Sequence, residues 1–325
     1  METFEVGGRT YTNKFNLPEE VVSALTRDYY TDETEAPFHE STSTLVAPTQ
    51  ITALKRRHPD KLKTFDVSQK MWSFLGSVSH NILEAAWKES MGSVVEKRFY
   101  VTVNGRIVSG KTDCYAPPQI RDYKSCKAYK LQRGAVEGYE EWERAQNCYA
   151  YILEENGLPV ESLLIIAIVF DWKEMESYKP NYPKAPFVQI PLTLWSKEKQ
   201  RAYVEERVAA LEDAKTLTDE ELAVKYPCSK KDMWQDLSGI VVQKRGAERA
   251  TRKFDAGTKE EMYAEAQAYF QEKGLSHATH EIVERWSGRT RCAAWCDVAD
   301  VCAQNRRLCL EEGNPLPADL EPTIF

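Results

Sequence analysis

The chain has no apolar run near the roughly 18 residues that a membrane span requires; its strongest, residues 163–170, is strand-sized. It shows no basic-then-apolar leader, since it opens METFEVGGRT. It has no internal repeat and no low-complexity stretch. It lacks a basic excess: 43 Lys and Arg against 50 Asp and Glu give a net charge of −7. That sets aside a generic nucleic-acid coat but not a metal-dependent nuclease, whose centre is itself acidic. It also lacks the two C-x-x-C-like pairs of an ordinary zinc site. What remains is 325 residues, 42% hydrophobic, enough for one large domain or two modest ones. Off the membrane and without a leader, it is expected in the cytoplasm. In that reducing compartment the eight cysteines are not read as a disulfide framework.

The chain is organised around residues 94–124, where three strand-like runs follow one another. Asn104-Gly105 is a type I′ hairpin signal between the first two, and Pro117-Pro118 breaks the chain before the third. Asp113 closes the second run just after Gly110, and the third ends in Asp122-Tyr123-Lys124. Side chains alternate along a strand, so Asp122 and Lys124 share a face and Tyr123 points the other way. A carboxylate from each of two neighbouring strands, with a lysine two residues on, suits a hard divalent cation and a water. Asp-x-Lys alone is common on solvated strands, so the surroundings decide.

Before the strands, residues 66–89 predict an amphipathic helix capped by Asp66. Met71, Leu75, Val78, Ile82 and Ala86 recur at helical spacing as its buried stripe. His80 and Glu84, four apart, share one face. After the strands, residues 137–155 predict a helix with Trp142, Ala145, Tyr149, Ile152 and Leu153 inward, and residues 162–170 a buried strand. The order helix, three strands, helix, strand predicts an α/β fold, a mixed sheet with helices on its faces. Earlier in the chain, Asn16 fits an N-cap with Pro18 early in a short helix, and residues 49–58 read as a further helix. Later, Ser196 caps a charged helix, Thr218-x-x-Glu221 is a capping box, and residues 239–286 form a small α/β appendage. The expected division is a helical segment 1–65, a core 66–195 and a C-terminal region 196–325.

Three basic clusters stand out: residues 55–58; Lys124, Lys127, Lys130 and Arg133; and Lys244, Arg245, Arg249, Arg252 and Lys253. Each reads first as a solvated face. The second is the best candidate DNA track because it begins at Lys124. Cys292, Cys296 and Cys302 fall within eleven residues and demand a reason, since thiolates at such spacing bind soft or borderline metals. A triplet plus a distant fourth suits a [4Fe–4S] cluster better than Zn²⁺; Zn²⁺ is the alternative. Cys228 and Cys309 compete for the fourth position. Cys114, Cys126 and Cys148 read as packing residues.

Gly110-x-x-Asp113 followed by Asp122-x-Lys124 resembles the PD-(D/E)XK nuclease superfamily. Gly76-x-x-x-His80-x-x-x-Glu84 and Gln146-x-x-Tyr149 resemble motifs of its RecB-like branch, and the cysteine triplet resembles its iron–sulfur members, the AddB type, the CRISPR-adaptation nucleases and phage exonucleases. The resemblance spans about residues 40–305. In the first two groups the fourth cysteine lies upstream of the core, whereas here none precedes Cys114. Tyr226-Pro227-Cys228 with Trp234 following looks like the phage branch and favours Cys228. The resemblance implies a restriction-endonuclease-like αβββαβ core and a Mg²⁺- or Mn²⁺-dependent DNA exonuclease, encoded by a phage or prophage. His80, Asp113, Asp122 and the Tyr123 carbonyl would hold the metal, and Lys124 would assist the water. Gln146 and Tyr149 would position the DNA strand. Glu84 and Glu96 are candidates for supporting roles. The cluster would be structural, closing the appendage over the core. A single-strand annealing or other recombination protein is an implied partner. Two other readings stay open: a non-catalytic DNA-binding scaffold on the same fold, and a zinc-stabilised interaction protein.

Overall fold

A computed structural model describes residues 3–6, 9–27, 37–91, 94, 95 and 97–313. The chain forms two compact units, one of residues 1–56 and 62–217, the other of residues 57–61 and 218–325.

The first unit begins with β1 (Thr3–Val6), β2 (Arg9–Thr12), α1 (Glu19–Thr26), β3 (Glu40–Ser41), α2 (Thr42–Val46) and α3 (Thr49–Arg57). Then come β4 (Phe65–Asp66), α4 (Met71–Met91), β5 (Val94–Val95), β6 (Arg98–Val103), β7 (Arg106–Lys111), β8 (Cys114–Ala116) and β9 (Gln119–Cys126). It closes with α5 (Ala128–Glu137), α6 (Glu140–Glu155), β10 (Ser162–Val169), β11 (Phe187–Leu192) and α7 (Lys197–Asp213). The main sheet runs β11-β10-β9-β8-β5, with β9 and β10 parallel and the other neighbours antiparallel. β6 and β7 form a separate antiparallel hairpin with β3 on its edge. The expected three runs are therefore five strand segments among the described residues. The hairpin turn is as expected: Asn104 and Gly105 both take positive φ, 48° and 76°, and Val103 pairs Arg106.

α6 is the central helix. Trp142, Gln146, Cys148, Ile152 and Leu153 are all buried, and its inner face packs with Tyr115, Ile120 and Leu163. Asn147 ties it to the chain after β11: its amide donates to Thr193 O at 2.9 Å, and its oxygen accepts from Trp195 N at 2.8 Å. Glu40 is buried and held in bidentate fashion by Arg56, at 2.8 and 2.7 Å, a charge-assisted pair that fixes the entry to α2. Arg207 of α7 donates to the carbonyls of Leu45 and Ala47 at 2.6 and 2.7 Å, satisfying the end of α2.

Two helix expectations are corrected. Asn16 does not cap α1; Pro18 occupies that position, while Asn13 brackets Leu17 through both its amide atoms. Asp66 caps a short 3₁₀ turn, Val67–Lys70, that leads into α4. The apolar stripe of α4 is not buried: Met71, Val78 and Ile82 are 47%, 39% and 64% exposed, and Ala86 is exposed too. The inward face carries Ser77 and His80 instead.

The second unit contains α8 (Asp219–Lys225), β12 (Leu237–Lys244), β13 (Ala250–Phe254), α9 (Lys259–Glu272), β14 (His280–Trp286) and α10 (Ala303–Glu311). β12 lies between β13 and β14 in an antiparallel sheet covered by Met262, Ala266 and Phe270 of α9. β13 is not expected from the sequence, since its burial is slight and two of its five residues are basic. The capping boxes at Thr218 and Thr258 close in both directions.

Gly110 of β7 lies under α6. A Cβ there would sit 2.8 Å from Ile152 Cδ1 and 3.0 Å from Tyr149 Cδ1. Both neighbours belong to a packed core that yields little. Gly110→Ala is expected to lower stability by about 1–3 kcal/mol in urea unfolding; an unchanged midpoint contradicts this packing.

Candidate active site and cysteine cluster

β8 and β9 pair Cys114 with Arg121, and one step further along the ladder brings Asp113 opposite Asp122. Asp113 lies in the break between β7 and β8 rather than at a strand end. Its Oδ2 accepts the Tyr123 backbone N–H at 2.9 Å and lies 2.7 Å from His80 Nε2. Asp122 is only 3% exposed. Lys124, two residues on along the same face, places Nζ 2.7 Å from Asp122 Oδ2. Those two atoms are in contact but not aligned as a hydrogen bond, since Oδ2 has no hydrogen-bond partner among the described residues.

α4 is laid antiparallel along β9, and the match is arithmetical. A four-residue step on a helix covers about 6 Å; a two-residue step on a strand covers about 6.6 Å. His80 meets Tyr123 edge-on at 5.6 Å between ring centroids. One helical turn back, a Cβ at Gly76 would lie 3.7 Å from Ser125 Oγ. Another turn back, Lys127 Nζ sits 4.8 Å over the Trp72 ring. His80 is thereby fixed beside Asp113 by contacts along the whole first half of α4.

On the other side α6 supplies Gln146, fully buried, with neither amide atom in a hydrogen bond among the described residues. The amide is nonetheless close enough to favour the ionised Asp122, a case of proximity without alignment. Tyr149, one turn on, is half-buried; burial and then the Asp122 charge hold its phenol protonated.

Burial and then the Asp113 charge push the Asp122 pKa up to about 6, against the pull of Lys124 and Gln146. Burial alone would lower the Lys124 pKa, but the Asp122 and Asp113 carboxylates outweigh it and raise it. Glu84 lies one turn beyond His80, half-buried. Glu96 is outside the described residues.

Among the described residues, no three His, Cys, Asp or Glu side chains are gathered into a metal-holding group. The prospective ligands are turned onto neighbours, His80 onto Asp113 and Asp122 onto Lys124. The donor set still fits a hard cation. Two carboxylates share one site, the buried Asp122 Oδ2 has the Lys124 ion pair but no hydrogen bond, and the buried Gln146 amide has no hydrogen bond among the described residues, the kind of deficit that a cation and its water make good.

The cysteine cluster lies within the second unit. Cys228, Cys296 and Cys302 are buried and Cys292 is half-buried. All eight cysteines are thiols rather than disulfides. Gln304 of α10 clamps the Cys228 backbone, accepting from its N at 2.8 Å and donating to its O at 2.9 Å. The Cys302 sulfur caps α10 by accepting from Asn305 N. Burial raises the Cys228 pKa, and the charges of Asp232, Cys302, Cys296 and Cys292 add to it. Burial, then Cys296 and Cys302, push Cys292 up to about 12. These thiols lie within one another's electrostatic reach. Cys309 is engaged differently, its sulfur accepting from Arg289 Nη2 at 3.3 Å. Cys114 and Cys148 are buried in the first unit, and burial pushes Cys126 up to about 11, so the three fit packing roles.

The basic stretch at residues 55–58 is largely occupied. Arg56 holds Glu40, while Arg57 and His58 belong to the second unit and pair there with Asp219. What sequence reasoning missed around the first site is the Glu40–Arg56 pair and Asn147; neither carries a local motif.

No protein-family model matches the chain, and no curated protein does. Among solved structures it is similar to SSO0001, at 12% identity and a TM-score of 0.41, over 59% of this chain and 84% of that one. It is similar to a phage-related exonuclease from Haemophilus somnus, at 11% identity and a TM-score of 0.32, over 44% and 70%. It is also similar to an alkaline exonuclease from Laribacter hongkongensis, at 10% identity and a TM-score of 0.30, over 56% and 94%. At these scores neither a shared fold nor a shared activity follows.

The Asp122 pKa near 6 lies above the ordinary carboxylate value of about 4. Its contribution to stability is therefore present in acid and lost as pH rises through about 6. Asp122→Asn keeps the volume without the titration. In EDTA, the melting temperature of the variant minus that of the wild type should grow between about pH 4 and pH 7. A constant difference contradicts the buried, raised carboxyl.

Proposed function

We propose that the first unit is a divalent-metal-dependent deoxyribonuclease of the PD-(D/E)XK type, acting as an exonuclease, in the RecB-like branch. The observation that carries the reading is the buried Asp122, caught between Asp113 and Lys124 beneath Gln146. A carboxylate pair at this separation from water is difficult to explain as a stabilising feature, because two like charges and a desolvated lysine each cost free energy.

His80, Asp113 and Asp122, with the Tyr123 carbonyl, would hold Mg²⁺ or Mn²⁺. Bound there, the metal would polarise the scissile phosphate, lower the pKa of its water and steady the leaving oxygen. The remaining chemistry belongs to the chain. The Asp122 and Asp113 carboxylates raise the Lys124 pKa and favour its ammonium form. The ammonium acts by donating N–H to the attacking water or to a phosphate oxygen, and by balancing charge as the substrate enters. Gln146, beside the Asp122 carboxyl, would help position the DNA strand. Tyr149 offers a phenolic O–H to the strand. His80, gripped against Tyr123, sets the side-chain geometry of Asp113.

The second unit would hold a [4Fe–4S] cluster on Cys228, Cys292, Cys296 and Cys302. The argument is the donor set: four soft sulfur ligands in a largely buried setting, with Cys309 already occupied by Arg289. The cluster's part is structural, since metal binding adds to folding free energy.

End-labelled DNA with Mn²⁺ should be shortened from its ends by the wild type. EDTA should abolish this, and Lys124→Ala should slow it by about 10²-fold or more. Equal digestion by Lys124→Ala contradicts the mechanism, and no digestion by any form supports the non-catalytic scaffold. Anaerobically prepared wild type should carry about four iron atoms per chain and a visible charge-transfer band. Cys228→Ser should lose both and Cys309→Ser should keep them. One zinc per chain and no band contradicts the cluster.

A further inference from the structure

At the far end of the α4–β9 contact an aromatic ring is left open beside a cation. Trp72 is 45% exposed. Its ring leans on Phe170, centroids 6.4 Å apart and tilted by 35°, and Lys127 Nζ stands 4.8 Å over it. Tyr129, on the first turn of α5, is 60% exposed. Of the basic cluster that begins at Lys124, three members have carboxylate partners: Lys124 with Asp122, Lys130 with Glu141 and Arg133 with Glu137. Among the described residues Lys127 has none; its contact is the indole. The ring stands at the edge with its supports fixed.

We propose that Trp72 and Lys127 form a stacking platform for an unpaired nucleotide of a single-stranded nucleic acid, with Tyr129 beside it. The inference rests on the nuclease reading only in that the platform serves the same site. Along α4, Trp72 precedes His80 by eight residues, about 12 Å, a distance that a strand crosses in roughly two nucleotides. In the free protein the Lys127 ammonium lies over the indole; a base that stacks on that face displaces it to the ring edge, where the cation answers the phosphate and the ring answers the base. This pairing of aromatic face and positive charge is how proteins hold unpaired strands without reading sequence. Bases inside a duplex have both faces covered and cannot use it, so the platform selects for a single strand. A chain with net charge −7 has little general attraction for DNA, so a local contact of this kind carries weight.

Fluorescence anisotropy of labelled dT12 in EDTA tests the platform without any turnover, independently of whether Lys124 supports digestion. Trp72→Ala should weaken binding about tenfold, and Trp72→Phe should restore most of it. Lys127→Gln should weaken binding and make the slope of log affinity against log salt shallower by about 0.7. Binding of a blunt duplex of the same length should respond less than dT12. Wild-type affinity for dT12 in Trp72→Ala overturns the proposal, as does an unchanged salt slope in Lys127→Gln. An equal loss on the blunt duplex overturns the single-strand assignment. Should Trp72→Ala prove poorly folded by its melting temperature, the Lys127→Gln result alone decides.

Discussion

Placing the Asp122 carboxyl out of water and next to Asp113 is unfavourable twice over, by desolvation and by like charge. The elements around it each offset part of that cost. β9 brings Lys124 to the same face two residues on, β8 fixes Asp113 opposite, and α6 delivers Gln146 from above. α4 pins His80 against Asp113 through contacts at Tyr123, Ser125 and Lys127. Remove any one of these and the remaining charges are worse satisfied than before, since breaking a buried ionic group leaves its partner uncompensated. The residual imbalance is a buried carboxylate oxygen whose near neighbour is the Lys124 ammonium and a buried amide that makes no hydrogen bond among the described residues.

This constraint explains why α4 departs from ordinary amphipathic design. A surface helix normally buries its apolar stripe. Here the face that must reach β9 is the one that bears Gly76, Ser77 and His80, so Val78 and Ile82 are turned outward. The helix is positioned by its contacts along β9, at His80–Tyr123, Gly76–Ser125 and Trp72–Lys127. Trp72, at the end of the same contact line, owes its position to that orientation.

The sequence was legible where chemistry is local. The Asn104-Gly105 turn follows from two positive φ values that those residues tolerate. The proximity of Asp122 and Lys124 follows from strand alternation, and Gly110 under α6 follows from a glycine where no Cβ fits. The α4 stripe was misread because helical periodicity reports an apolar face, not which face a partner claims. The Glu40–Arg56 pair and the Asn147 link join residues far apart in sequence, and nothing in their neighbourhoods announces them. Among the cysteines, spacing singles out the triplet and the Pro227-Cys228 context favours Cys228 in the sequence, while the Arg289 contact that further sets Cys309 apart is visible only in the structure. The candidate oxygen donors lie in one unit and the candidate sulfur donors in the other, and the two kinds of donor suit different cations.

The central claim is that Asp113 and Asp122 act together on one hard cation. Electron paramagnetic resonance of free Mn²⁺ during titration reports that directly. The account predicts a saturable site in the wild type that Asp113→Asn and Asp122→Asn each weaken at least about tenfold, with the double variant little worse than either. Equal Mn²⁺ affinity in the wild type and both single variants would contradict it.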